Sequence, residues 1–331
     1  MNDKSPRKLI LHIGAHKTGS TAIQTFLLQK KQELLAKGWF FCERPGRPTN
    51  WGHMIRVQRE SGGATFPLGP VILGKMLELM DSNLPNVIFS AEDLFFLDDA
   101  NVKIFANEMQ KRFTEINVIA YLRRQDEMAI SHWTQGGRTV QSALVFGGLE
   151  GPLKNINRFM LHYLDYASRV EAWRDALPDA KLSVRIYDRS QLPNRDVIED
   201  FVNISGLDVT NDGKGREVNS SIGSTTVRFV YLLREAGLQQ RFIDKMMRAR
   251  MIPITEDKIL PSQSEVRAFM DRFVESNARL ARLLGCDTAF SDDYSQYPEQ
   301  STNAPLDQDF TRETLLFLLA DQVARLEAYE K

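Results

Sequence analysis

Residues 12–24 read HIGAHKTGSTAIQ, where Gly14 and Gly19 bracket a lysine and lead into the hydroxyls of Ser20 and Thr21. Those residue types at that spacing suit the capture of a phosphate-like anion. Glycines let the main chain turn tightly and bring its amides close to a ligand. A helix starting at Ser20 adds unpaired amides and the positive end of its dipole. The ammonium of Lys17 can reach a bridging or terminal oxygen, and Ser20 and Thr21 supply hydroxyl donors.

The spacing Gly14-x-x-x-x-Gly19 is that of a P-loop, but Ser20 stands where a nucleotide triphosphatase carries its lysine, and the lysine is at position 17. Lys17-Thr18-Gly19-Ser20-Thr21 resembles the 5′-phosphosulfate loop of sulfotransferases that use 3′-phosphoadenosine 5′-phosphosulfate. Their fold is similar to that of nucleotide kinases. The resemblance implies that the loop binds this donor, with adenosine 3′,5′-bisphosphate as product and no metal required. A donor with a 3′-phosphate needs a second cradle. The segment Arg123-Arg124-Gln125-Asp126-Glu127-Met128-Ala129-Ile130-Ser131 follows the apolar run INVIAYL and resembles the family's 3′-phosphate segment. There an Arg and a Ser eight positions apart hold the phosphate, which selects Arg123 and Ser131 and leaves Arg124 aside. Planar bidentate donors and a hydroxyl suit that ligand. VRIYDRSQLPNRDVIEDFVNISGL is similar to a further family segment, and the basic loop Gly213-Lys214-Gly215-Arg216 stands where relatives close over the nucleotide, which implies that Arg216 meets the 3′-phosphate.

Sulfuryl transfer to a hydroxyl or amine needs a base on the acceptor and positive charge on the leaving oxygen. Lys17 serves the leaving group. In the family the catalytic His or Glu often lies on the strand just before the one bearing the 3′-phosphate Arg, so the resemblance implies a base at the end of the strand NVIFS, where Glu92 follows Ser90 and Ala91. This departs from the Lys-Thr-His of cytosolic family members, so Glu43 and His53 stand as alternatives. Glu92 equally suits the first turn of a helix, where a carboxylate complements the dipole. His16 and His132 are expected to shape the donor site, and His12 and His162 receive no role. Trp51 and Trp133 are placed near an acceptor site, where they would stack on sugar rings. Together with a resemblance to bacterial polysaccharide-modifying relatives, this makes a saccharide the expected acceptor.

These residues need a scaffold that brings distant loops together. Short apolar runs at Lys8–Ile13, Asn86–Ser90 and Ile116–Leu122 read as buried strands, and Trp39–Cys42 and Leu182–Tyr187 as further strands. Helical periodicity follows the first from Ser20 and appears around His53, over Val71–Met80, between the strands at 90 and 116, and over Asp196–Ile204. Strand and helix alternate, predicting an α/β fold: a P-loop, nucleotide-kinase-like central parallel sheet flanked by helices. Thr225–Ala236, Ser264–Leu284 and Thr311–Tyr329 read as helices, so the C-terminal portion is expected to be helical. No linker divides the chain. One domain over 1–331 is expected, with an α/β core over 1–235 and a helical extension over 236–331 packed on it; the resemblance covers residues 8 to about 235.

Among the 331 residues, 42 basic and 43 acidic side chains cancel to a net charge of −1, which argues against a nucleic-acid or membrane-surface binder. The cysteines, Cys42 and Cys286, make neither a disulfide framework nor a clustered zinc site. No run of about 18 apolar residues occurs, and the N-terminal apolar stretch is too short for a signal-peptide core. A cytoplasmic protein without a membrane span is expected, with its oligomeric state open. Two other readings remain: a P-loop kinase using ATP and magnesium held by Asp93 or Glu92, and a non-catalytic nucleotide-binding protein of the same fold.

Overall fold

A computed structural model gives the fold. It describes residues 6–43, 58–60, 63–65, 70–81, 84–211, 222–252, 254–302 and 311. The strands are β1 (Lys8–Gly14), β2 (Trp39–Phe41), β3 (Gln58–Glu60), β4 (Gly63–Thr65), β5 (Asn86–Ser90), β6 (Glu115–Leu122) and β7 (Lys181–Ile186). Five of them form one sheet in the order β2-β5-β1-β6-β7, every neighbouring pair parallel. Parallel neighbours require crossovers long enough to carry a helix, and those helices cover both faces. The fold is therefore α/β, a parallel sheet flanked by helices, as the alternation of runs predicts.

The chain forms two compact units, one from residues 1–124, 162–218 and 273–291, the other from 125–161, 219–272 and 292–331. The first contains the sheet. All of β1 except Lys8 is buried, which its unbroken apolar character requires of a strand covered on both sides. On one face the helix Ser20–Gln29 packs Ile23, Phe26 and Leu27 against Ile198, Phe201 and Ile204 of the helix Val197–Ser205, over Ile10, Ile88 and Ile119 of the sheet. Phe89, one residue along β5 from Ile88, faces the other way. Its ring lies 6.5 Å from Phe105 on the helix Asp99–Gln110, and Phe105 meets Trp173 of the helix Tyr166–Ala176 edge-on at 6.0 Å. Burying each large side chain contributes about 1.5–3 kcal/mol, so these layers account for much of what holds the sheet.

The second unit is helical where described. Trp133, on the helix Gln125–Gly136, clusters with Ile222, Val227, Tyr231 and Ile259. Tyr231 donates its hydroxyl to the Trp133 carbonyl at 2.7 Å, and the Trp133 indole donates to the Gly148 carbonyl at 2.8 Å. Tyr297 donates to Asp126 at 2.7 Å.

Two features differ from expectation. β3 and β4 form an antiparallel pair outside the main sheet. The helical pattern over 264–284 is interrupted by a 3₁₀ turn, Asp271–Phe273, between the helices Gln263–Met270 and Val274–Leu284. A tightened turn keeps three-residue spacing, so apolar periodicity runs through it unchanged. The helical segments expected around His53 and over Thr311–Tyr329 lie outside the described residues, apart from Thr311 itself, which is helical. Among the described residues no helix is long and apolar enough to cross a membrane.

Candidate active site

Three neighbouring strands of the first unit, β5, β1 and β6, release the chain at the same edge of the sheet, the carboxyl edge, where open α/β folds hold their ligands. β1 ends at Gly14 with φ +94°, and Gly19 precedes the helix with φ +85°. Both are left-handed conformations that favour glycine, and both sites are crowded. A Cβ on Gly19 would lie 2.8 Å from a Val197 methyl.

The loop between them is pinned by its own polar groups. The Ala15 amide donates to the Tyr121 carbonyl of β6 at 2.6 Å. The Ala15 carbonyl accepts from the hydroxyls of Thr18 at 2.6 Å and Ser20 at 3.1 Å. Thr18 and Ser20 are buried, so their hydroxyls set the shape of the turn, while Lys17 and Thr21 are exposed. Lys17 itself has φ +60°. A non-glycine residue there costs about 1–2 kcal/mol, and such strain persists where the surrounding structure enforces it, often at ligand sites. The first amides of the Ser20 helix have no partner within the helix, which completes a cradle for an anion.

β5 ends at Ser90, and Glu92 and Asp93 open a 3₁₀ turn, Glu92–Phe96. Glu92 is 25% exposed at the side chain, whereas Asp93 is 3% exposed. His16, from the loop, joins them: its Nε2 lies 3.0 Å from Asp93 Oδ1 and 3.9 Å from Glu92 Oε1. Burial alone would lower the His16 pKa, but the Glu92 charge, the Asp93 hydrogen bond and the Asp93 charge together outweigh it against the opposing Lys17, so the value is raised above the ordinary 6.5.

Beside the loop on the other flank, β6 delivers Arg123 and Arg124. The Arg123 carbonyl accepts the Tyr166 hydroxyl at 2.8 Å, which fixes the main chain where its side chain departs. Arg124 is 8% exposed and donates to the Ser291 carbonyl at 3.1 Å.

The other expected site residues fall elsewhere. Ser131 is half-buried on the helix Gln125–Gly136 of the second unit, so its pairing with Arg123 rests on the sequence spacing. His132 stacks on Phe146 at 4.4 Å and meets Ser142 at 3.2 Å, both in that unit, so it packs there. Glu43 forms an ion pair with Lys31. Trp133 is 1% exposed in a core and presents no face to a sugar. His53, Trp51 and Arg216 lie outside the described residues. What sequence reasoning did not anticipate is the pairing of His16 with Asp93 across 77 residues; nothing in local spacing carries such a contact.

No protein-family model matches the chain. An uncharacterized protein of Archaeoglobus fulgidus is 28% identical over 202 residues, 59% of this chain and 53% of that protein. The chain thus spans about half the length of the relative it matches. Among solved structures, a sulfotransferase from Alicyclobacillus acidocaldarius is similar at a TM-score of 0.46 and 14% identity, covering 86% of this chain and 97% of that one. Likeness at that level carries no argument about activity, which must come from the residues themselves.

Proposed function

We propose that the chain is a sulfotransferase that moves the sulfuryl group of 3′-phosphoadenosine 5′-phosphosulfate to an acceptor hydroxyl or amine. The observation that carries the reading is the departure of the Lys17 loop, Glu92 and Arg123 from three adjacent strands at one sheet edge. Neighbouring strands lie about 4.8 Å apart, so an anion loop is flanked within one strand step by a carboxylate on one side and a guanidinium on the other. In this reading the loop from Lys17 to Thr21 holds the 5′-phosphosulfate. Arg123 holds the 3′-phosphate, and Ser131 and Arg216 join it on the strength of the resemblance.

Glu92 takes the proton of the acceptor as its oxygen or nitrogen bonds to sulfur. The bond from sulfur to the bridging oxygen breaks, and its electron pair stays on the 5′-phosphate, where Lys17 offsets the charge. Of the three expected bases, Glu92 is favoured because β5 adjoins β1 and its anion loop, whereas Glu43 follows β2, two strands away, and His53 lies outside the described residues. Ser20 in place of a clamping lysine disfavours the kinase alternative. A saccharide acceptor and a cytoplasmic location remain readings of the sequence and its resemblance.

Titration of the full chain with adenosine 3′,5′-bisphosphate in a calorimeter tests the proposal. Binding is expected without magnesium, weakened at least about tenfold by Lys17→Ala or Arg123→Ala, each removing one charge-assisted contact of about 1.5–3 kcal/mol. Preference for ATP with magnesium over the bisphosphate would reverse it.

A further inference from the structure

Lys17 and Glu92 have parts in the reaction above; His16 and Asp93 have none. The Asp93 carboxyl is almost fully buried: Oδ1 meets His16 Nε2 at 3.0 Å, and Oδ2 has no hydrogen-bond partner among the described residues. A carboxylate in that condition is costly unless a cation compensates it. His16 is the basic side chain within ion-pair distance of it there. The imidazole is held on its other sides too. Nδ1 lies 3.3 Å from the Tyr163 hydroxyl oxygen, which also accepts from the His16 main-chain amide at 3.2 Å. The ring leans on Phe96 at 4.7 Å, and Phe96 stacks on Tyr163 at 3.8 Å. The ring cannot swing away without breaking these contacts, and it stands 3.9 Å from Glu92 Oε1.

We propose that buried Asp93 holds His16 as an imidazolium, and that His16 in turn is a positioning residue for Glu92, fixing its carboxylate beside the anion loop. The inference rests on the donor-site reading above and adds the means by which its base is kept ready. The groups facing the ring are Glu92 and Asp93 from the turn after β5, Lys17 from the loop and the neutral hydroxyl of Tyr163; the two carboxylates outweigh the lysine, and the balance favours the charged ring. When Glu92 takes the acceptor's proton it becomes neutral, and the His16–Asp93 pair keeps its own proton and its zero net charge. Glu92 then returns the proton to solvent, so the balance closes with no further reactant.

The test separates this pair from the donor reading. Ring-nitrogen NMR shifts of His16, followed over pH in the ligand-free full chain, should show it titrating above about 6.5. Asp93→Asn should move that titration down by at least about one pH unit. In the same variant, slow hydrolysis of 3′-phosphoadenosine 5′-phosphosulfate, with water as acceptor, should fall at least about tenfold at neutral pH while affinity for adenosine 3′,5′-bisphosphate is kept, since a catalytic group displaced by about 1 Å costs up to about 10²-fold. If Asp93→Asn does not fold, His16→Gln, which keeps a donor for Asp93 but puts no charge beside Glu92, should lower the hydrolysis in the same way and leave bisphosphate affinity unchanged. Wild-type His16 titrating at or below the ordinary histidine value, or hydrolysis unchanged in the folded variant, overturns the proposal. The ring titration needs no nucleotide, so failure of bisphosphate binding would sink the donor reading alone.

Discussion

Gly14 and Glu92 touch at the main chain: a Cβ added to Gly14 would lie 3.0 Å from the Glu92 Cα and 3.1 Å from its Cβ. The end of β1 and the turn after β5 therefore meet with no side chain between them, so the loop after β1 and the half-buried Glu92 share one junction. A ligand on the loop is next to Glu92 because residue 14 has no side chain.

Gly14→Ala is expected to be costly twice over. Its φ of +94° disfavours any side chain, and the added methyl presses on the backbone of residue 92. Loss of about 1–3 kcal/mol of stability should follow, read as a lowered denaturant midpoint at unchanged slope. Because the methyl displaces Glu92, turnover should fall further than bisphosphate affinity. A variant as stable and active as the wild type would show that the junction tolerates slack.

Lys17→Gly separates strain from binding. With φ +60°, Lys17 occupies a conformation that glycine adopts freely. The variant should be as stable as the wild type or more so, by up to about 1 kcal/mol once the greater freedom of the unfolded glycine chain is subtracted. Yet it should bind adenosine 3′,5′-bisphosphate at least about tenfold more weakly. A thermal melt and a titration on the same sample check both; a drop in stability would mean that the lysine side chain holds the loop.

His12 gives the fold a pH dependence independent of the site. It lies in the middle of the sheet, its Nδ1 2.7 Å from the Ser90 hydroxyl and its ring edge-on to Tyr121 and Phe201. Burial lowers its pKa from the ordinary 6.5 to about 3. The unfolded chain thus takes up a proton that the folded chain refuses. The stabilisation is complete above 6.5 and lost as pH falls from there toward 3, at up to about 1.4 kcal/mol per pH unit. His12→Gln should flatten the slope of unfolding free energy against pH in that interval; equal slopes would refute the assignment.

The inner sheet was legible because β1, β5 and β6 carry short apolar runs, and burial on both faces suits LILHI and VIF, whereas the edge strand β7, KLSVRI, has no buried residue. The loop was legible because Gly14, Lys17 and Gly19 are close in sequence. The His16–Asp93 contact was not, since it exists only once β1 and β5 lie side by side, and strand order is not written in periodicity. Trp133 shows the converse. Its residue type suits stacking on a sugar ring, as expected of an acceptor site, but helix position decides which face a side chain takes, and this one turns into a core with Tyr231.

Arg123 and Arg124 offer the sharpest contrast, because they are adjacent and identical in type. Both follow the end of β6 at Leu122, yet they differ in burial: Arg123 is half-buried. Arg124 is the buried one, its guanidinium on the Ser291 carbonyl. Removing it leaves that carbonyl without its donor, at a cost of about 1–3 kcal/mol. Arg124→Ala should therefore lower the melting temperature while leaving bisphosphate affinity within a factor of about two, well under the tenfold step that one lost charge-assisted contact brings. Arg123→Ala should do the reverse: near-native melting and weaker binding, with a smaller dependence of affinity on salt because one phosphate contact is gone. If both variants lose affinity equally, the two arginines act as a diffuse positive patch and the specific role of Arg123 fails; if Arg124→Ala alone loses it, the 3′-phosphate contact belongs to the neighbour.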